Sequence, residues 1–414
     1  MSAAIVWGAA AFVLLSALIS IASAAYYLWS LRFPAQAPSA AVTAIMPATG
    51  PLPNLEGLIA NLSQQSLPPR RLIIAVESQN DPAYARVRSV QATTVTPHID
   101  LIVAGVADKS GQKNANILAA LKELGPADEY VLLMDADIRP LPWYVASLME
   151  PLAAGRRDLL NGYRWLTPVR PTVFATLIAA IDRRLAVLPR PPETRLIWGG
   201  SIAVTPRALA ALDLPATLAG QVLDDLPIGA KAAATGLNVG ARSCARAPTP
   251  IERDPRRLFA FARRQMQFVR IYLPGLWWVT SLLAVVDLCA RLTLSIAAIA
   301  AAPRLSAALA ALLAIAALDL LSAELRLHAS RRLGVVDDVA FKMLNRLFAL
   351  TILPLPLTWT AILLASFPTS RIAWAHVRYQ VDHKGRVLRV ERNATGSPIA
   401  SAARTNCLHP AESP

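Results

Sequence analysis

Charge is what this 414-residue chain has least of. Only 16% of its residues are Asp, Glu, Lys or Arg, against 55% hydrophobic, where a soluble domain of ordinary composition carries about 25% charged residues. The deficit points to membrane segments, with enough length left over for one catalytic domain. Cysteine is scarce as well: Cys244, Cys289 and Cys407 stand far apart and without metal-ligand spacing. No disulfide framework is implied, which suits an active domain in the cytosol. No internal repeat is present. The charge that does exist is lopsided, 41 Lys and Arg against 27 Asp and Glu, net +14. A basic balance suits nucleic acid or anionic lipid. In a chain with long apolar runs, lipid head groups are the expected partner and nucleic acid is not.

The N-terminus has no Lys or Arg ahead of its first apolar run. Ile5 to Trp29 is uncharged and ends in Tyr26, Tyr27 and Trp29 before Arg32. Spanning a bilayer takes about 20 residues, and aromatics with an arginine suit the interface. The rival reading, a cleaved signal peptide, wants a basic start and an apolar region of about 7–15 residues. Residues 1–32 are therefore read as an uncleaved anchor. Arg32, Arg70 and Arg71 follow it and put the next domain on the cytoplasmic side.

Residues 41–250 change pattern to short β-type runs alternating with helical stretches. The expected strands are Val42–Met46, Arg71–Val76, Leu101–Val103, Tyr130–Met134 and Ile197–Val204. The expected helices include Leu55–Gln64, Asp81–Val90, Gln112–Leu124 and Trp143–Leu152. Such alternation predicts an α/β domain with a largely parallel sheet, whose ligands sit beyond the carboxyl ends of the strands. Residues 251–275 form a basic interfacial segment with Arg253, Arg256, Arg257, Arg263, Arg264 and Arg270. Residues 276–367 hold three apolar segments, Leu276–Ala301, Leu305–Leu325 and Leu347–Phe367. Asp287, Arg291, Asp319 and Glu324 interrupt the first two, so they should pack inward or lie near an interface. Three full crossings would carry the basic tail, residues 368–414, to the outside, against the positive-inside rule. A re-entrant segment around Pro354 and Pro356 would resolve the conflict.

Three stretches carry chemistry. Tyr130–Pro142 (YVLLMDADIRPLP) is an apolar strand ending in Asp135-Ala136-Asp137. Carboxylates at i and i+2 at the mouth of a strand point the same way. They can hold Mg²⁺ or Mn²⁺ against a diphosphate, since these ions take one or two carboxylates plus phosphate oxygens. A solvated strand end carries the same residues without a metal. In Gln221–Gly236 (QVLDDLPIGAKAAATG), Asp224-Asp225 opens a helical stretch. There carboxylates serve either as caps favoured by the helix dipole or, for Asp225 first and Asp224 as fallback, as the base that deprotonates an acceptor hydroxyl. Ala104–Leu118 (AGVADKSGQKNANIL) leads glycines into a helix N-terminus that suits phosphate or sugar contacts. Its Lys113 and Asn116 fall one turn apart, a spacing a solvated face explains equally well. Leu177–Leu188 (LIAAIDRRLAVL) and Leu258–Leu273 (LFAFARRQMQFVRIYL) are greasy on one side and charged on the other. They read as interfacial helices, or in the first case as an amphipathic helix packed on the sheet.

Taken in order, these motifs resemble the ceramide glucosyltransferase family, plant-type members most of all. The likeness runs from VTAIMPATG (Val42–Gly50) and VESQNDPAYARV (Val76–Val87) through GQKNANIL, the Asp-x-Asp strand and LIWGGSIAV (Leu196–Val204) to LDDLPIGAKAAATG. It is weaker in WAHVRYQV (Trp374–Val381). The resemblance implies a GT-A (Rossmann-like) nucleotide-sugar transferase domain with N- and C-terminal transmembrane helices, a UDP-sugar donor, inversion and a hydroxylated lipid acceptor such as ceramide. It implies metal ligation by Asp135 and Asp137, and donor contacts from Glu77, Lys113, Asn116, Asp135, Arg264, Gln267 and Phe268. Trp198, Gly199 and Gly200 fall on the acceptor side. Other members carry an acidic residue at or just after Glu77, where Ser78 follows here. The family's (Q/R)xxRW pattern is altered to Arg264-Gln265-Met266-Gln267-Phe268, which removes one cation and one tryptophan. Within the same fold, a hopanoid, diacylglycerol or polyprenyl phosphate is the competing acceptor. A non-catalytic membrane scaffold is the competing class.

Overall fold

The computed structural model describes residues 2–190, 196–252, 254–300, 307–367 and 369–393. Of the residues singled out above, Arg253, Ala301, Leu305 and Cys407 lie outside these. A seven-stranded sheet forms the centre: β1 (Val42–Pro47), β2 (Arg71–Val76), β3 (His98–Val103), β4 (Tyr130–Met134), β5 (Leu159–Pro168), β6 (Ser201–Val204) and β7 (Val239–Ile251). Their order is β3-β2-β1-β4-β6-β5-β7. The first four are mutually parallel, and β6 runs antiparallel to both β4 and β5. The sheet is thus mixed, with the reversal immediately beside the strand that bears Asp135.

Alternation decides what covers each face. Val42, Ala44 and Met46 of β1 pack with Leu58 and Leu62 of α2 (Leu55–Ser63), Val87 of α3 (Pro82–Gln91) and Leu148 of α5 (Tyr144–Ala153). Ile45 points the other way, to Ile117 and Ala120 of α4 (Gln112–Leu121) and Ile228 of α9 (Asp225–Ala234). Both faces are covered, which is why these strands read as unbroken apolar runs. Helix starts are local. Asp81 caps α3 by accepting from the Ala83 amide with Pro82 behind it, and also accepts from Thr49 Oγ1 (2.7 Å) and the Gly50 amide (2.8 Å). That ties the loop after β1 to the loop after β2.

The expected strand Ile197–Val204 shortens to Ser201–Val204 because Trp198-Gly199-Gly200 form a turn, whose Gly200 carbonyl accepts from the Asp135 amide (3.1 Å). β5 and β7 were not expected. β7 (VGARSCARAPTPI) lacks the β-branched signature, and its Pro248 and Pro250 are tolerated because it is the sheet's last strand.

Among the described residues three helices are long and apolar enough to cross a membrane: α1 (Ala3–Ser30), α11 (Pro274–Ala300) and α12 (Ala307–Arg332). The third apolar segment is not one straight helix. It is a pair, α13 (Val339–Leu350) and α14 (Pro354–Ser366), bent by 89°. Pro354 and Pro356 lie in the first turn of α14, where a missing N–H costs nothing, and Ile352 takes a positive φ of 55° at the corner. Arg291 binds this assembly together, donating to Asp287 (2.9 Å), to Asp319 of α12 (2.7 Å) and to the Ile352 carbonyl (3.2 Å). As expected, those charges pack inward.

Residues 371–392 form a three-stranded antiparallel sheet, β8 (Arg371–Trp374), β9 (Val377–Val381) and β10 (Val387–Arg392). It is docked on the catalytic domain. Ile372, Val377, Tyr379 and Val381 are buried with Val222, Leu223 and with Phe268 and Ile271 of α10 (Pro255–Tyr272). What composition presents as a basic tail is a wall of the site.

Candidate active site

β4 is buried along its length and delivers Asp135 and Asp137 at its carboxyl end. α4 brings Lys113 to the same point. Its Nζ lies 2.8 Å from Asp135 Oδ1 and 2.9 Å from Asp224 Oδ2, and donates to the Gly199 carbonyl at 3.0 Å. Burial alone would lower the Lys113 pKa, but the two carboxylates overcome it and raise it, so the ammonium is permanent. Asp225 Oδ2 accepts from the Gly199 amide (2.8 Å) and Oδ1 from the Leu226 amide (2.7 Å). The Gly-Gly turn, the Asp-x-Asp strand, the α4 lysine and the Asp224-Asp225 pair therefore form one hydrogen-bonded unit.

The glycines are there for space. A Cβ on Gly199 would stand 2.8 Å from Asp224 Oδ1, and one on Gly200 would overlap the Trp198 ring.

The acids differ in state. Burial, with Asp135's charge adding to it, pushes Asp137 up to about 6, although its side chain is exposed at the cavity. Burial and the neighbouring Asp224 push Asp225 up to about 7. Asp224, 1% exposed, is also raised by burial, and Lys113 opposes that rise. Among the described residues no ion pair reaches Asp137. Two like-charged carboxyls held together at a cavity mouth are relieved by a bound cation. These residues therefore fit a hard divalent ion completed by phosphate oxygens. Among the described residues no cluster of three or more His, Cys, Asp or Glu exists that would complete it from protein alone.

A cavity of about 860 Å³ holds this unit at one end. Lys113, Asn116, Asp135, Asp137, Trp198, Gly199, Gly200, Asp224, Asp225, Arg264 and Phe268 all line it. The structure separates two expected residues from it. Gln267 is 1% exposed and reaches the Arg371 carbonyl (3.5 Å), because its side of α10 carries the C-terminal sheet. Glu77 is 2% exposed and held by Arg392 (2.7 Å) and His376 (3.1 Å) of that sheet. Asn116 touches the cavity, but its amide is spent on Gln112 and the Ala75 carbonyl.

Sequence reasoning missed several lining residues. Trp374 lies over Lys113 (5.9 Å) and Arg264 (5.6 Å) and packs on Phe268 (5.9 Å). With His376 and Tyr379, which also line the cavity, it belongs to WAHVRYQV, so a signal existed. Tyr163 and Arg164 come from the unforeseen β5 and had none. Another part of the wall is largely apolar and comes from the hydrophobic helices α11 (Leu276, Trp277 and Thr280) and α14 (Trp359 and Leu363).

Among solved structures, a mannosyltransferase of Pyrobaculum calidifontis in complex with GDP-mannose and Mn²⁺ is 18% identical, covering 88% of this chain and 96% of its own at a TM-score of 0.46. Glucosyl-3-phosphoglycerate synthase of Mycobacterium tuberculosis, with Mn²⁺, UDP and glucosyl-3-phosphoglycerate, is 16% identical over 56% of this chain and 79% of its own, TM-score 0.37. S. aureus TarS in complex with UDP-GlcNAc is 13% identical over 75% and 91%, TM-score 0.36. No curated protein matches. The model of glycosyl transferase family 21 matches residues 12–387, nearly the whole chain, and the chain belongs to that family.

Proposed function

We propose that this glycosyltransferase moves a sugar from UDP onto the hydroxyl of a membrane lipid, with inversion, at the cytoplasmic face. One observation carries the reading. A single cavity joins a carboxylate–lysine cluster to an apolar wall made by α11 and α14. A water-soluble donor and a lipid acceptor can meet only in a site with those two ends.

In this reading Asp225 is the base. It lines the cavity without a cation partner, its oxygens are oriented by two amides, and a pKa of about 7 suits proton transfer near neutrality. Asp224 is less suited, being buried and neutralised by Lys113. In one displacement the lipid oxygen bonds to the anomeric carbon, the bond to the diphosphate breaks with its electron pair leaving on UDP, and Asp225 takes the hydroxyl proton. A divalent ion held by Asp135 and Asp137 would neutralise charge on the departing diphosphate. Lys113 and Arg264 add fixed positive charge at the same end.

The docked C-terminal sheet supports a topology in which the chain returns to the catalytic side. α11 and α12 cross and return, so α13 begins on the catalytic side. β8–β10 is bound to the catalytic domain through Arg392–Glu77 and through the Gln112 amide to Tyr379 Oη (3.0 Å). The 89° pair is then re-entrant rather than a fourth crossing, and the basic segments stay inside.

Membranes containing the chain, given radiolabelled UDP-sugars and a panel of ceramide, diacylglycerol, hopanoid and polyprenyl phosphate, should label one lipid class. Release of UDP with sugar reaching only water-soluble acceptors would reject the lipid reading.

A further inference from the structure

Beyond the metal end, the cavity contains a concentration of arginine that the donor diphosphate does not explain. Tyr163 is surrounded by three guanidinium groups: Arg190 at 3.7 Å from the ring centre, Arg164 at 5.5 Å and Arg246 at 5.8 Å. Among the described residues one carboxylate answers them. Asp182 takes Arg164 Nε at 2.7 Å, and Arg164 also donates to Gln265 (3.1 Å). Arg246 spends its donors on the Ala186 and Arg242 carbonyls. Arg190 has no acidic partner among the described residues. It faces the cavity beside Leu188, Leu196 and Trp198.

A half-buried cation opposed only at a distance, by Asp182 among the described residues, carries a desolvation cost, and stacking on one tyrosine returns at most a small part of that. Burial, with Arg246's like charge adding to it, depresses Arg190 to about 10, so the cluster is under electrostatic load. The diphosphate is separately provided for. Arg264 feels the charge of Asp137, whereas the neighbours acting most on Arg190 are Arg246, Tyr163 and Asp182.

We infer that Arg190, stacked on Tyr163 and backed by Arg164 and Arg246, forms a second anion site for a negatively charged group on one of the two substrates. Resting on the transferase reading above, this assigns a substrate class. Either the donor sugar bears a carboxylate, as a uronic acid does, or the lipid head bears a phosphate. Arginine suits both, offering paired N–H donors to a planar carboxylate or to phosphate oxygens.

The test is a two-by-two comparison on purified full-length protein in nanodiscs: UDP-glucose against UDP-glucuronate, and diacylglycerol against phosphatidylglycerol, which both keep a free hydroxyl. The readouts are kcat/KM and calorimetric affinity. In one arm the anionic member should be favoured on the order of 10- to 100-fold, the worth of a charge-assisted pair. Arg190→Gln should erase that preference through KM, leaving UDP affinity unchanged, and Arg190→Lys should restore part of it. A donor preference identifies the carboxylate source, an acceptor preference the phosphate source. Ratios near one in both arms, or a preference that Arg190→Gln leaves intact, overturn the inference. If the protein binds no UDP in the presence of Mn²⁺, the transferase reading itself fails, and the anion site falls with it.

Discussion

Replacing Asp225 with Asn should abolish turnover and, at alkaline pH, make the protein more stable. The carboxyl rises from 3.8 to about 7 in the folded state, chiefly through burial and then through Asp224. A folded pKa above the unfolded one means that the folded state binds the extra proton between those values. Stability therefore falls as pH rises from about 4 to 7, and the loss is complete above 7. A rise of about three pH units is worth roughly 4 kcal/mol. Because the side chain opens on the cavity, screening cuts this to about 2 kcal/mol. Asn never charges and escapes this penalty, but it presents only one oxygen to the two amides of Gly199 and Leu226. One hydrogen bond is lost, at about 1 kcal/mol. The variant should thus be about 1 kcal/mol less stable than wild type at pH 4–5 and about 1 kcal/mol more stable at pH 8. Thermal melting of both proteins in the same nanodiscs across that range reads the crossing directly. Wild-type kcat/KM should fall about tenfold for each pH unit below 7 as the base is protonated. A stability difference independent of pH, or a flat activity profile from pH 6 to 8, would refute the assignment of a raised, proton-accepting Asp225.

Three further outcomes are expected. Asp137→Ala should abolish Mn²⁺-dependent UDP binding, measured by calorimetry, while metal-independent binding persists at its weaker level. Lys113→Met leaves Asp224, 1% exposed, without its cation, and should destabilise the fold by about 3–5 kcal/mol; a melting shift equivalent to less than about 1 kcal/mol would show the pair to be dispensable. Trp359→Ala, at the apolar end of the cavity, should raise KM for the lipid acceptor severalfold without altering UDP affinity. An equal loss on both substrates would assign that tryptophan to packing.

How much of this was legible in the sequence depends on how local the cause is. β4 and its two acids were readable because burial on both faces forces an apolar run, and a strand that enters a cavity must end in the residues that work there. Lys113 and the Asp224-Asp225 pair were readable as motifs, but their direct contact was not, since it comes from the sheet order that sets β6 against β4. Tyr163 and Arg164 were invisible for a related reason, and Trp374 was signalled only by the weak likeness of WAHVRYQV. β5 is an inner strand interrupted by Asn161 and Gly162, and β8 follows the bent helix pair before folding back on α10. Nothing in either local pattern announces its destination.

The altered motif on α10 shows the same division between local and global causes. Read alone, Gln267 and Phe268 look like the loss of a cation and a tryptophan from a donor site. In three dimensions Phe268 packs on Trp374 from β8, and Gln267 reaches the β8 backbone at the Arg371 carbonyl. Trp374 then places an indole over Lys113 and Arg264, which line the cavity with Asp135 and Asp137. The aromatic surface missing from the helix is supplied by a strand more than a hundred residues later. The substitutions at 267 and 268 thus follow from the C-terminal sheet packing against that face of the helix. A charged Arg at 267 would be buried there against a backbone carbonyl with no acid to answer it.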